Sequence, residues 1–148
     1  MSTKQALFRL GLVFYVLSFF LVATGDREGI VGRLRGYECA YSVVHAALTT
    51  TPFSPSSTDY APPFMYLSIL ISALITPVFL VNVTLIFLKR ASRTASVLKF
   101  VLLSMIPFCW VIFHALKVYP REGHVFWVIG MLLVLFSSPK QVSTPDYR

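Results

Sequence analysis

The residues best equipped for chemistry sit in one short stretch, Arg33-Leu34-Arg35-Gly36-Tyr37-Glu38-Cys39-Ala40-Tyr41, with His45 close behind. An acid, a thiol and an imidazole are the right types for a metal ligand set or for a nucleophile with its base. Two more histidines, His114 and His124, and a second thiol, Cys109, lie much further along the chain. Their spacing carries no signature. The zinc patterns, the phosphate-binding loop and the nucleophile elbow all lack a match. A working Cys–His pair is defined by proximity in space, which sequence order leaves open. Tyr37, Glu38, Cys39, His45, His114 and His124 therefore form the candidate polar cluster, with no catalytic residue, metal or cofactor assigned to it.

The elements that must position these residues are apolar runs. Of 148 residues, 56% are hydrophobic and only 13% charged. A soluble domain carries roughly a quarter charged residues, so this chain has too little polar surface to cover a water-exposed globule. Lipid is the solvent that fits. A spanning helix needs about 20 mainly apolar residues. Four segments approach that length, at about 7–24, 64–88, 97–118 and 124–138. The second contains no charge; the fourth is short and depends on local thinning of the bilayer to cross it. The alternation of a barrel strand is absent, so helices are the reading for all four. The expectation is an all-α integral membrane bundle of four transmembrane helices in one domain, 1–148, with one long extracytoplasmic loop at 25–63. The first segment has a second reading. Lys4 and Arg9 precede an apolar stretch that ends near Leu21-Val22-Ala23, the outline of a secretory signal peptide. Either reading puts the loop on the same side.

Basic residues fix an orientation. Lysine and arginine are enriched on the cytoplasmic side of membrane proteins. With the N-terminus inside, Lys4, Arg9, Lys89, Arg90, Arg93, Lys99, Lys140 and Arg148 are cytoplasmic, and Asp146 is the one acid there. Outside, Arg27, Arg33, Arg35, Lys117 and Arg121 balance Asp26, Glu28, Glu38, Asp59 and Glu122. The whole formal charge of +7 thus falls on the inner face. The basic balance reflects topology and does not call for nucleic acid, because no separate basic domain exists. The expected location is a cell membrane of bacterial inner-membrane type, with both termini cytoplasmic. The expected partners are the lipid bilayer and another membrane protein or a second copy of the chain.

Within the long loop, Leu34, Tyr37, Tyr41, Val44 and Leu48 recur at helical spacing. A short amphipathic helix is expected there. It either lies at the interface with its tyrosines at headgroup level, or caps the bundle and presents Glu38, Cys39 and His45 to a ligand. The stretch 49–63 is rich in Ser, Thr and Pro and reads as irregular loop. Pro77 and Pro107 interrupt the second and third helices and should kink them. With Ser72, Asn82, Thr84 and Ser104 they could border a cavity, or the small and hydroxyl residues could simply pack helix on helix. Cys109 reads as a small apolar packer. The sequon Asn82-Val83-Thr84 falls inside an apolar span and is accidental.

The segment Gly36-Tyr37-Glu38-Cys39, placed after one helix and followed by the 63–88 helix, resembles a set of small uncharacterised bacterial four-helix membrane proteins with an extracytoplasmic Gly-aromatic-acid-Cys segment. The proline- and serine-rich insert before the second helix departs from that pattern. The resemblance implies a fold and no activity. The expected function is that of a non-enzymatic accessory or interaction subunit whose outer loop meets a partner. The alternatives are a small oligomeric transporter or channel, with a water path past Asn82 and Thr84, and a redox or metal protein using the outer cysteine and histidines.

Overall fold

The computed structural model describes residues 2–25, 33–50, 62–88 and 92–137. The proline- and serine-rich stretch at 51–61, the basic turn at 89–91 and the tail from 138 lie outside these residues. Among the described residues there are five helices and three very short strands: α1 (Thr3–Ser18), β1 (Val22–Gly25), β2 (Leu34–Arg35), α2 (Gly36–Thr49), α3 (Pro63–Phe87), α4 (Ser92–Ala115), β3 (Tyr119–Pro120) and α5 (Glu122–Ser137). α3 and α4 are long and apolar enough to cross a membrane, and α5 is a shorter apolar helix.

Local chemistry explains the element ends. Ser2 accepts the Gln5 N–H at its hydroxyl, and the Gln5 side chain accepts the Ser2 N–H, so two of the free donors at the start of α1 are satisfied. Pro63 opens α3, where its missing N–H costs nothing. α4 ends in a Schellman turn: Val118 N–H donates to Phe113 O and Lys117 N–H to His114 O, with Lys117 at φ 52°.

The long helices form two close pairs. α1 packs on α5 where Gly11 and Gly130 meet. A Cβ on Gly130 would lie 2.6 Å from Tyr15 N and 2.8 Å from Gly11 O, so only glycine permits this approach. α3 packs on α4, and α2 lies across α3. An apolar core joins the pairs. Tyr15 of α1 and Phe79 of α3 pack with ring centres 4.3 Å apart, and Phe8 meets Phe87 edge-on at 5.7 Å. Ile75, Phe79, Leu102, Met131 and Val134 are fully buried in this core.

The structure differs from the all-α expectation at one end. The first helix stops at Ser18, and the rest of the expected 7–24 helix turns into β1. β1 is the centre of a three-stranded antiparallel sheet, in the order β2-β1-β3. Strands of two to four residues carry too little periodicity to read from sequence. They exist because their partners arrive already fixed at helix ends: β2 runs directly into α2, and β3 links α4 to α5.

Candidate functional site

The sheet end of the bundle holds a half-open cavity of about 250 Å³. α2 covers it. Gly36, Cys39, Ala40 and Val43 of α2 line one side; Ser72, Ala73, Thr76 and Pro77 of α3 line another. Cys109, Ile112 and Phe113 come from α4, and Gly123, His124 and Trp127 from α5. The end of α1 and Ala23 of β1 complete the wall.

Two glycines make the cover possible. Gly36 opens α2 and Gly123 lies in the first turn of α5, and both press on the backbone that leads from α1 into β1. A Cβ on Gly36 would collide with Ser18 O and lie 2.7 Å from Phe19 Cα. A Cβ on Gly123 would lie 2.9 Å from Leu21 O. Backbone bonds hold the arrangement: Gly36 N–H donates to Leu21 O at 3.0 Å, Tyr37 N–H to Phe19 O at 3.1 Å and Arg121 N–H to Ala23 O at 2.8 Å. The starts of α2 and α5 are thereby tied to one short segment, which fixes Cys39 and His124 relative to each other.

The candidate polar cluster divides. Cys39 and His124 face the cavity. Glu38 does not; its carboxylate accepts the Arg35 N–H at 2.7 Å and the Tyr37 hydroxyl at 3.3 Å, which caps α2. Tyr37, His45 and His114 are exposed. His45 sits beside the Tyr41 ring, 5.9 Å between centres. Of the kinks and their neighbours, Pro77 and Ser72 border the cavity. Pro107 and Ser104 are exposed, and Ser104 donates to Val101 O of its own helix. Asn82 is buried whereas Thr84 faces outward and donates to Leu80 O, so the two do not line a common path.

Both thiols are occupied by hydroxyls. Cys39 Sγ pairs with Thr24 Oγ1 at 3.4 Å, and Cys109 donates to Ser72 Oγ at 3.5 Å. Burial pushes the Cys39 thiol above its ordinary range; the Thr24 bond opposes this, and the Glu38 charge adds to it. A nucleophilic thiol needs a base or a positive neighbour, and the bonded partners here are neutral hydroxyls. Among the described residues no group of three or more His, Cys, Asp or Glu side chains converges as a metal site would need.

His124 is the unusual member. It is only 6% exposed, and its Nε2 has no hydrogen-bond partner. Three aromatic rings frame it: Phe113 edge-on at 4.7 Å, Trp110 edge-on at 5.7 Å and Trp127 stacked at 5.4 Å. The cavity is thus a mainly apolar chamber whose two thiols are each bonded to a hydroxyl and whose one imidazole is buried without a partner at Nε2. Its chemistry suits binding.

The chain matches no family model, no curated protein and no solved structure.

The sequence reading missed Ala40, Val43, Thr76 and Trp127. A signal existed for the first two. Gly36, Ala40, Val43 and Ala47 repeat at helical spacing about 100° round the helix from the large apolar stripe, the pattern of a helix face meant for close packing.

Proposed function

We propose that this protein is a multi-pass membrane protein in which α1, α3, α4 and α5 all span the bilayer, with both termini cytoplasmic, and that it acts as a non-enzymatic accessory or interaction subunit. Its contact element is α2. One observation carries this reading: α2 is fastened to the bundle by its small residues, while Tyr37, Tyr41 and Leu48 point outward, with Tyr41 71% and Leu48 81% exposed. A helix that turns its large apolar side chains away from its own core offers them to something else.

Four spans are supported by the outer faces of the helices. α1 leaves Leu10, Val13, Val16 and Leu17 exposed, and α5 leaves Val125, Ile129 and Phe136 exposed, as α3 and α4 do with Leu74, Leu80, Phe100 and Trp110. A water-facing bundle would not carry such a belt on every long helix. At 16 residues each, α1 and α5 are about 24 Å long, so they cross with help from their flanking residues and local thinning. The basic residues support the orientation. Lys99, at the end opposite the sheet, places its Nζ 4.4 Å from the Phe136 ring centre, where a cation at the headgroup boundary would sit.

The test uses the full chain in native membranes with a photo-crosslinking amino acid at position 41 or 48. A recurrent adduct with one protein, or with a second copy of this chain, is expected. Adducts with lipid alone would overturn the accessory role and leave α2 as an interfacial anchor. Cysteines introduced at positions 4 and 140 should react with a membrane-impermeant reagent only after the membrane is opened; reaction from outside would overturn the orientation.

A further inference from the structure

We propose that the cavity beneath α2 binds one small, mainly apolar molecule that carries a single hydroxyl, of the size of a monocyclic phenol, with that hydroxyl bonded to His124 Nε2. The inference concerns the interior of the bundle and does not rest on the accessory role of the outer face of α2.

Size sets the first limit. An apolar protein cavity of about 150 Å³ takes benzene, and sites for drug-sized ligands begin near 300 Å³. At about 250 Å³ this chamber holds one ring with a short substituent. Wall chemistry sets the second limit. The lining contains no charged side chain, so a carboxylate or an ammonium would be desolvated without a partner. Polar accounting then points to one bond. Cys39 is bonded to Thr24, Cys109 to Ser72, and Ser18 donates to Tyr15 O, while Thr76 and Trp127 lie beside the Tyr15 hydroxyl at the edge of the chamber. His124 Nε2 is buried without a partner, a position with a desolvation cost that a ligand hydroxyl would relieve. A hydroxyl both donates and accepts, so it satisfies either imidazole tautomer. Phe113 and Trp127 supply faces and edges against which a ring packs. A lipid acyl chain would fill space but leave the imidazole unpaired. The other buried groups without partners, Asn82 Oδ1 and the Tyr15 hydroxyl, do not line this chamber.

The chain has two tryptophans, and both lie against His124. Binding can therefore be read directly as quenching of their fluorescence by 4-bromophenol, with the full-length protein in lipid nanodiscs. Saturable quenching is expected, with bromobenzene binding about tenfold more weakly for lack of the hydroxyl. His124→Phe keeps the ring volume and should bring the two probes to equal affinity. Ala40→Phe fills the chamber and should abolish saturation. Should that variant not fold, the wild-type protein still decides through its thiols: Cys39 and Cys109 both line the chamber, and 4-propylphenol should slow their alkylation by N-ethylmaleimide severalfold. Quenching that rises in proportion to probe dissolved in lipid, unchanged by His124→Phe and without thiol protection, would overturn the proposal. So would quenching by a chain-brominated phospholipid that 4-propylphenol cannot relieve, since that result makes a lipid tail the occupant.

Discussion

Gly11 and Gly130 face one another across the α1–α5 crossing, each lying against the other's carbonyl oxygen. A Cβ on Gly11 would come 2.9 Å from Gly130 O, and a Cβ on Gly130 would come 2.8 Å from Gly11 O. The contact is reciprocal and involves backbone, which cannot rotate away. It sets how closely the first and last helices pair, and so where α5 carries His124.

Substitution at this crossing should therefore be costly. Gly130→Ala is expected to lower stability by about 1–3 kcal/mol through overpacking, and Gly11→Leu by more. Gly25→Ala is the comparison, because its Cβ would meet nothing nearer than the Arg121 side chain at 3.5 Å. Thermal unfolding of the detergent-solubilised protein measures all three. Equal midpoints for Gly130→Ala and Gly25→Ala would contradict the crossing.

Lys117 offers a change in the opposite direction. It holds φ 52° at the turn after α4, a conformation that costs an L-residue with a side chain about 1 kcal/mol. Lys117→Gly should raise the unfolding midpoint by an amount corresponding to a fraction of that cost, after the greater freedom of glycine in the unfolded chain is subtracted. A lowered midpoint would show that the Lys117 side chain matters more than its backbone.

Cys39 should titrate late. Burial raises its thiol, with the Thr24 bond opposing and Glu38 adding to the rise. The thiol is therefore buried neutral. Its contribution to stability is fully present below the ordinary thiol range and is lost as pH rises through the raised value. In a Cys109→Ser background, the rate of iodoacetamide reaction should have its midpoint above that of a free-thiol standard. Glu38→Gln should bring the midpoint down. A midpoint at or below the standard would mean that the thiol is exposed or activated, and would reopen a nucleophilic role.

Tyr15 separates packing from hydrogen bonding. Its ring is buried against Phe79, and its hydroxyl lies beside Thr76 and Trp127 but short of hydrogen-bonding geometry. Tyr15→Phe should be neutral or mildly stabilising, because an unmet hydroxyl costs more buried than removed. Phe79→Ala should cost about 3–5 kcal/mol, as the fully buried ring leaves a cavity between the helix pairs. Chemical denaturation in mixed micelles would show both. A large loss for Tyr15→Phe would mean that its hydroxyl is bonded.

Much of the frame could be read from residue order alone. Apolar run length located α3 to within one residue at each end, because a long uncharged stretch has one low-energy answer in lipid and that answer is local. Helical spacing from Tyr37 to Leu48 foretold α2, although Leu34 belongs to a strand. The division of basic residues gives an expected orientation in the same way, because charge beside an apolar run is a one-dimensional property. The site was only half legible. Cys39 and His124 were named from their types, yet so were Glu38, His45 and His114, and nothing in their spacing distinguished those that turn inward. Tertiary structure made that choice. Gly36 and Gly123 allow two helix starts to close on the same few residues of backbone, and that contact joins positions 36 and 123, far apart in the chain. It rotates Cys39 inward, leaves Glu38 to cap its own helix and encloses His124 among three rings. A side chain's direction depends on which helix face finds a partner, and no local pattern encodes where that partner will be.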